Sequence, residues 1–396
     1  MKVIIVGNGI AGVTCAAELR KREADPERLR IEVYGREAYH YYARIKLPEL
    51  VGSAASDIVL HDEAWYAGRK IEAFLGDEAV AIDRAARTVR FSSGHVAHYD
   101  KLVLALGSRS LRPPIPGAEL AGAAVLREMN DARCLVSRLR RDGDAAVVLG
   151  GGLLGLEAAR QLVAAGVRRV EVVEFFDRLL PRQLDRAGAA LLGRRMADAG
   201  IRVHLSSQAA AIRGKDRVEG VELSGGSLLR TPTVLFSMGV RSRVELAAAA
   251  GLATAKGVVV DAGLRTSDPD IYAVGDAAEF QGIVWGNLVA ALEQAPVAAA
   301  HILGDERVPY RQTIPRSTLK VSGLDLTSLG AVQDGEPGAA YARMAADGER
   351  YEKYVVAEDG TLSGAILIGN KERARSLPAR MGKPVALSEI DAWLSF

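Results

Sequence analysis

Glu174 closes the strand-like run VEVVE, a short way past the glycine-rich turn GGGLLG at 150–155. A carboxylate at the end of the second strand of a dinucleotide-binding unit accepts hydrogen bonds from ribose hydroxyls and repels a 2′-phosphate. Glu174 therefore predicts NADH over NADPH, although Arg178 and Arg182 stand near enough in sequence to soften the preference. Within the turn, Gly150 allows the sharp bend, Gly152 lets backbone approach a pyrophosphate, and Gly155 lets the following helix pack on its strand. Leu153 and Leu154 then open a helix whose unpaired amides and dipole favour phosphate. The spacing recurs as GNGIAG at 7–12, with Gly7, Gly9 and Gly12 in the three glycine places and Ile10 and Ala11 opening the helix. There the second strand ends IEVYGREA, with Gly35 where the ribose carboxylate usually stands. Glu37 is the substitute, and Arg36 is placed to meet an adenosine phosphate. Two such turns imply two dinucleotides held for reaction with each other, which is the chemistry of a flavin reduced by a nicotinamide.

The elements that must position these residues read as an α/β protein. Apolar strands at 3–6 and 145–149 feed the two turns, and 31–34 and 170–173 are their parallel partners. Segments 71–73, 79–83 and 88–91 read as a meander, and the continuous apolar run at 102–106 as a strand buried on both faces. Pro113, Pro114 and Pro116 mark a linker into the second nucleotide unit, which contains a helix at 185–199. A strand at 234–236 and a helix at 288–303 follow. These readings predict two Rossmann-like domains, the first interrupted by the second, and a small α+β domain at the C-terminus. The expected boundaries are 1–112 and 233–308 for the FAD domain, 113–232 for the NAD(H) domain and 309–396 for the last.

Composition narrows the function. A net charge of +2 over 396 residues gives no footprint for nucleic acid or a polybasic membrane contact. The apolar first sixteen residues are accounted for by the glycine fingerprint rather than a leader, and no run of 18 apolar residues occurs. A soluble, cytoplasmic protein is expected. Cys15 and Cys134 are the two cysteines and form no C-x-x-C pair, so no redox disulfide, cysteine-held cluster or metal site is expected. Flavin would be the sole electron store.

Further motifs resemble those of the two-dinucleotide flavoprotein reductases, the pyridine nucleotide–disulfide oxidoreductase superfamily. They are ALGS at 105–108, GGGLLGLE through Glu157, SMGVR at 237–241 and TSDPDIYAVGD ending at Asp276. The resemblance covers nearly the whole chain. It implies that Asp276 binds the ribityl–pyrophosphate region of FAD and that the helix carrying Leu288 and Gln294 aims its amino end at the flavin. It also implies Val80, Ala105 and Gly107 in the FAD site, Gly239 in the NAD site, and Glu157 near the nicotinamide carboxamide. The cysteine-free loop YYARIKLPELVG, with RQLD at 182–185, GDAAEF at 275–280 and IPRSTLKVSG at 314–323, is similar to NADH:rubredoxin reductases and to the reductase portion of assimilatory nitrite reductases. By that likeness Arg44, Lys46 and Lys320 approach FAD. Ser242–Arg243 and Ala295–Pro296 depart from the superfamily's usual Pro-Asn and Gly.

The resemblance implies a hydride passing from NADH to FAD, followed by single electrons to a small carrier protein, rubredoxin or a ferredoxin-like relative. Lys371, Arg373, Arg375 and Arg380 are candidates for docking an acidic carrier. One alternative is a subunit that feeds a separate nitrite or nitrate reductase, since the chain lacks the iron–sulfur and sirohaem portions of the fused enzymes. A second is a slow, NADH-sensing flavoprotein. The acceptor and the choice between monomer and homodimer stay open.

Overall fold

The structure is a computed structural model that describes residues 1–53, 57–314, 316–321, 324–335, 337–345 and 347–396; residues 142 and 317–321 are described by backbone alone. The chain forms two compact units: Met1–Arg44 with Asp57–Arg109 and Val240–Thr313, and Ile45–Ser56 with Ser110–Gly239 and Ile314–Phe396.

The first unit is built on a five-stranded parallel sheet ordered Ile271–Ala273, Lys101–Leu104, Lys2–Val6, Arg30–Gly35, Ile71–Leu75. Its central strands are nearly unbroken apolar runs because helices cover both faces of such sheets, and Val3, Ile4, Ile5, Leu102 and Val103 are fully buried. Helix Ile10–Arg22 makes the crossover after the first strand, and helix Leu288–Ile302 packs closely on it.

One expectation is corrected here. The segment at 71–73 is not part of a meander: Ile71–Leu75 pairs parallel with Arg30–Gly35, Ile31 opposite Ile71. The one-and-a-half-turn helix Glu63–Gly68 supplies the return crossover, and Phe74 stacks on Tyr34 at 4.7 Å between ring centroids. The meander is instead Ala79–Asp83, Thr88–Phe91 and Val96–His98.

The second unit repeats the parallel pattern with strands ordered Ile201–His204, Arg169–Val173, Ala145–Leu149, Val234–Phe236, Ala123–Val125. The short helix Leu47–Gly52 belongs to this unit and packs against helix Leu153–Ala164. A Cβ built on Gly52 would stand 2.0 Å from Gln161 Oε1, so any larger residue there would have to displace the Gln161 side chain. The C-terminal part is a five-stranded antiparallel sheet ordered Arg316–Val321, Leu324–Gly330, Leu362–Ile368, Tyr351–Val356, Ala339–Met344. Helices Lys371–Ser376 and Leu387–Trp393 close its apolar face. Glu352 is fully buried there and is held by Arg350, Arg373 (2.7 Å), Asn370 (2.7 Å) and the Tyr354 hydroxyl. Burial alone would raise its pKa, but these donors hold the carboxyl below its ordinary value.

Among the described residues, no helix is long and apolar enough to cross a membrane.

Candidate active site: two dinucleotide cradles

In the first unit, strand Lys2–Val6 runs into Gly7, whose φ of +122° and whose neighbour both demand glycine: a Cβ there would stand 2.0 Å from the Ala105 carbonyl oxygen. Gly12, in the first turn of helix Ile10–Arg22, is equally constrained, with a Cβ falling 1.9 Å from the Gly7 carbonyl oxygen. Gly9 differs. A Cβ there would meet nothing within 4 Å, so the protein itself gives no reason for glycine. Gly9 is also the N-cap and provides no side-chain acceptor for the first helical amides. Open space beside uncapped amides and the positive end of a helix fits a pyrophosphate.

The same unit brings the distant motif residues to this turn. A Cβ on Gly275 would stand 2.8 Å from the Ala11 Cβ, and the Gly275 amide donates to the buried Gln294 Oε1 at 2.7 Å. Asp276 follows, its carboxylate accepting from Ser108 Oγ at 2.7 Å and its carbonyl from Ser242 Oγ at 2.6 Å. Ser242, a departure from the superfamily pattern, thus carries a bond that proline could not make. Ala105 supplies the carbonyl above Gly7, and Gly107 (φ +67°) again faces open space. Leu288 is the exposed first residue of its helix, capped by Asn287, which accepts from the Ala290 amide at 2.8 Å. Val80 lies exposed in the strand Ala79–Asp83.

Glu37 accepts from the Tyr42 hydroxyl at 2.7 Å and from Arg44 at 2.6 Å, so the two sequence candidates form one ion pair. Arg36 lies 3.7 Å from Glu78. Sequence reading missed the bond from the Tyr66 hydroxyl to Asn8 Oδ1 (2.6 Å), which fixes the second residue of the fingerprint; nothing local in the sequence links these positions. Lys46 stands in the second unit, and the side chain of Lys320 lies outside the described residues.

The second unit repeats the geometry. A Cβ on Gly150 (φ +114°) would stand 2.3 Å from the Ser237 carbonyl oxygen, and one on Gly155 2.1 Å from that of Gly150. Gly152, the uncapped N-cap of helix Leu153–Ala164, again faces open space, as does Gly239 (φ +95°). A cavity of about 520 Å³ opens here, with Gly150, Gly152, Leu153, Glu174 and Gly239 in its wall. Glu174 is buried and accepts from the Gly151 amide at 2.6 Å and the Phe176 amide at 2.9 Å. Each carboxylate oxygen keeps a lone pair for a ribose hydroxyl.

Arg182 lines this cavity, whereas Arg178 is engaged with Gln333 at 3.1 Å and Asp177 at 3.0 Å. Phe175 and Phe176, 61% and 51% exposed, also line it and were missed, because aromatic residues after a strand carry no ligand signal in sequence. Leu154 and Glu157 lie on the same helix outside the cavity wall. Burial pushes the Glu157 carboxyl up to about 7; Arg160 opposes this and Glu49 adds to it.

Both turns have the strand–glycine–helix geometry of a dinucleotide-binding unit. The chain matches the family described as "Pyridine nucleotide-disulphide oxidoreductase" over residues 1–301. It belongs to that family. Residues 315–383 match a second description, "Rubredoxin NAD+ reductase C-terminal domain". This oxidoreductase is 33% identical over 390 residues to Nitrite reductase [NAD(P)H] of Bacillus subtilis (strain 168), covering 98% of this chain and 48% of that one. The chain thus spans about half the length of that relative. It is 32% identical over 398 residues to Rubredoxin-NAD(+) reductase of Pseudomonas putida, covering 96% and 97% of the two chains. Among solved structures, a ferredoxin reductase for the CYP199A2 system from Rhodopseudomonas palustris superposes with a TM-score of 0.88 at 30% identity, over 98% of this chain and 96% of that one.

The basic residues offered for docking a carrier differ in their partners. Lys371 pairs with Asp325 at 3.0 Å, Arg373 with the buried Glu352 and Arg380 with Glu389 at 2.8 Å; Lys371 and Arg375 are exposed, and Arg373 and Arg380 are half-buried.

The raised Glu157 carboxyl gives a pH test. The folded protein holds this proton more tightly than the unfolded chain, so Glu157 costs stability as pH rises from its ordinary value of 4.5 through about 7. Glu157→Gln is expected to gain stability relative to wild type across that window and to differ by a constant amount above it. Urea unfolding from pH 4 to 9 checks this; a difference independent of pH would contradict the raised carboxyl.

Proposed function

We propose that this chain passes a hydride from NADH to FAD and delivers the electrons singly to a small redox carrier protein such as rubredoxin. The observation that carries the reading is the pair of second glycines, Gly9 and Gly152, each set beside an uncapped helix terminus where no protein atom would meet a Cβ. Two pyrophosphate positions in one chain fit two dinucleotides.

The roles divide by unit. Gly7, Gly9, Gly12, Glu37, Arg44 and Asp276 hold FAD, with Ser108 orienting the Asp276 carboxylate and the amino end of helix Leu288–Ile302 favouring negative charge. Gly150, Gly152, Gly155 and Glu174 hold the exchangeable NADH, and Glu157 serves its carboxamide. When bound, the flavin supplies conversion between two-electron and one-electron transfer. The chain's own work is binding and positioning.

Thiols support the reading by their placement. Cys15 is fully buried, its thiol pushed up to about 12 by burial, and Cys134 stands exposed on helix Met129–Asp142. The two cysteines form no disulfide with each other. We place the reaction in the cytoplasm, where unpaired cysteines stay reduced, and divide the chain at 1–112, 113–232, 233–308 and 309–396.

A second reading is favoured by the Bacillus subtilis relative, of which this chain spans about half. In it, a separate protein takes the electrons to nitrite or nitrate. Stopped-flow reoxidation of the NADH-reduced protein separates the two. Rubredoxin or a ferredoxin is expected to speed reoxidation far above the rate in buffer. No acceleration by either carrier, with acceleration by a nitrite-reducing partner, would replace the first reading with the second.

The NADH preference has its own test. Glu174→Ala removes charge-assisted bonds worth about 1.5–3 kcal/mol, a change of roughly tenfold or more. The KM for NADH should rise by that factor and approach the KM for NADPH. A KM ratio between the two nucleotides equal to that of wild type would refute the assignment.

A further inference from the structure

The loop at 175–184 lines the second-unit cavity through Phe175, Phe176, Pro181, Arg182 and Gln183. It contains no helix or strand, so something other than secondary structure must hold its shape. One end is stitched to the glycine turn. Glu174 accepts from the Gly151 amide at 2.6 Å, and the Gly151 carbonyl accepts from the Leu180 amide at 3.2 Å. Leu180 adopts φ +50°, a left-handed conformation that a leucine takes only at a cost of about 1–2 kcal/mol. Its side chain is nevertheless fully buried, so surrounding contacts hold the residue against that preference.

The other end is tied to the C-terminal sheet. Asp185 caps helix Arg186–Asp198 by accepting from the Gly188 amide at 2.9 Å. Its second oxygen accepts from the Tyr351 hydroxyl and faces Lys353 Nζ at 3.2 Å. Lys353 and Asp185 side chains are only 6% and 8% exposed. Lys353 also donates to the Val332 carbonyl at 3.1 Å and reaches Asp334 at 3.4 Å, so its ammonium is satisfied without water. Burial, reinforced by Asp185, keeps the Tyr351 hydroxyl protonated and donating. Arg178, in mid-loop, donates to Gln333 Oε1 at 3.1 Å, a further tie to the segment preceding the sheet's outer strands.

A buried ion pair of this kind seldom adds net stability over an apolar replacement, although removing one partner is costly. Its use here follows from where it sits. We infer that Lys353 and Tyr351 are positioning residues for the nucleotide: through Asp185 they fix the loop at 175–184 against the glycine turn, so that the C-terminal sheet sets the affinity for NADH without touching it. The inference rests on the proposed NADH site.

Lys353→Met and Tyr351→Phe in the flavin-loaded, full-length protein test it. Lys353→Met should raise the KM for NADH by about fivefold or more and leave kcat within about twofold, the pattern of lost binding rather than lost chemistry. Tyr351→Phe, which keeps the ion pair, should produce a smaller rise of the same kind. Lys353→Arg should restore the wild-type KM. Amide hydrogen exchange across 175–184 without nucleotide should quicken in Lys353→Met while the strand Ala145–Leu149 stays protected. An unchanged KM for NADH in the variants, with or without faster exchange, overturns the inference. Should Lys353→Met fail to fold, Tyr351→Phe decides by the same criterion. Failure of the NADH reading is separately visible, because NADH would then not reduce wild type, and the exchange measurement would still report whether the anchor holds the loop.

Discussion

The structure depends on a carbonyl oxygen lying where a side chain would be. Ala105 over Gly7 and Ser237 over Gly150 leave about 2 Å for a Cβ, and the next contact, Gly12 or Gly155 against the carbonyl of the first glycine, leaves no more. These approaches draw strand, turn and helix together in both units and fix the direction of the helix amino terminus. Because first and third glycines are set by packing, the second can be judged alone. Its freedom from protein contact in both turns is what supports the proposed pyrophosphate positions. The same constraint explains why residues far apart in sequence meet: Gly275 packs on Ala11, and Asp276 arrives beside Ser108 as a consequence.

The two units then differ in how the turn is completed. In the first, an ion pair, Glu37 with Arg44, and a carboxylate held by serine stand at the site. In the second, Glu174 accepts from the backbone amides of Gly151 and Phe176 and borders an open cavity. A cross-braced cradle suits a resident cofactor and a cavity-lined one suits a nucleotide that comes and goes, which is the division of labour proposed here.

Much of this was legible in sequence because the signals are local. The strands at 145–149 and 234–236 and the helix at 288–302 follow from apolar runs and spacing, and both glycine turns follow from three residues each. What was not legible depended on distant partners. The segment at 71–75 has the alternation of a meander strand, and only its pairing with Arg30–Gly35 places it in the parallel sheet. Arg373 looks like a surface cation until Glu352, on the strand Tyr351–Val356, is seen to be buried against it. Lys353 and Asp185 lie far apart in sequence, and neither residue type announces a buried pair. Phe175 and Phe176 carry no pattern that separates a cavity wall from a surface cluster.

Anaerobic titration of the flavin-loaded protein with NADH, comparing wild type with Gly152→Val, tests the central claim most directly. A Cβ at 152 meets no protein atom, so the variant should fold, retain its flavin and keep its thermal stability. It should nonetheless lose reduction by NADH, because the added side chain fills the place of the pyrophosphate. Wild-type reduction by NADH in Gly152→Val would contradict the account, as would loss of the flavin together with that activity.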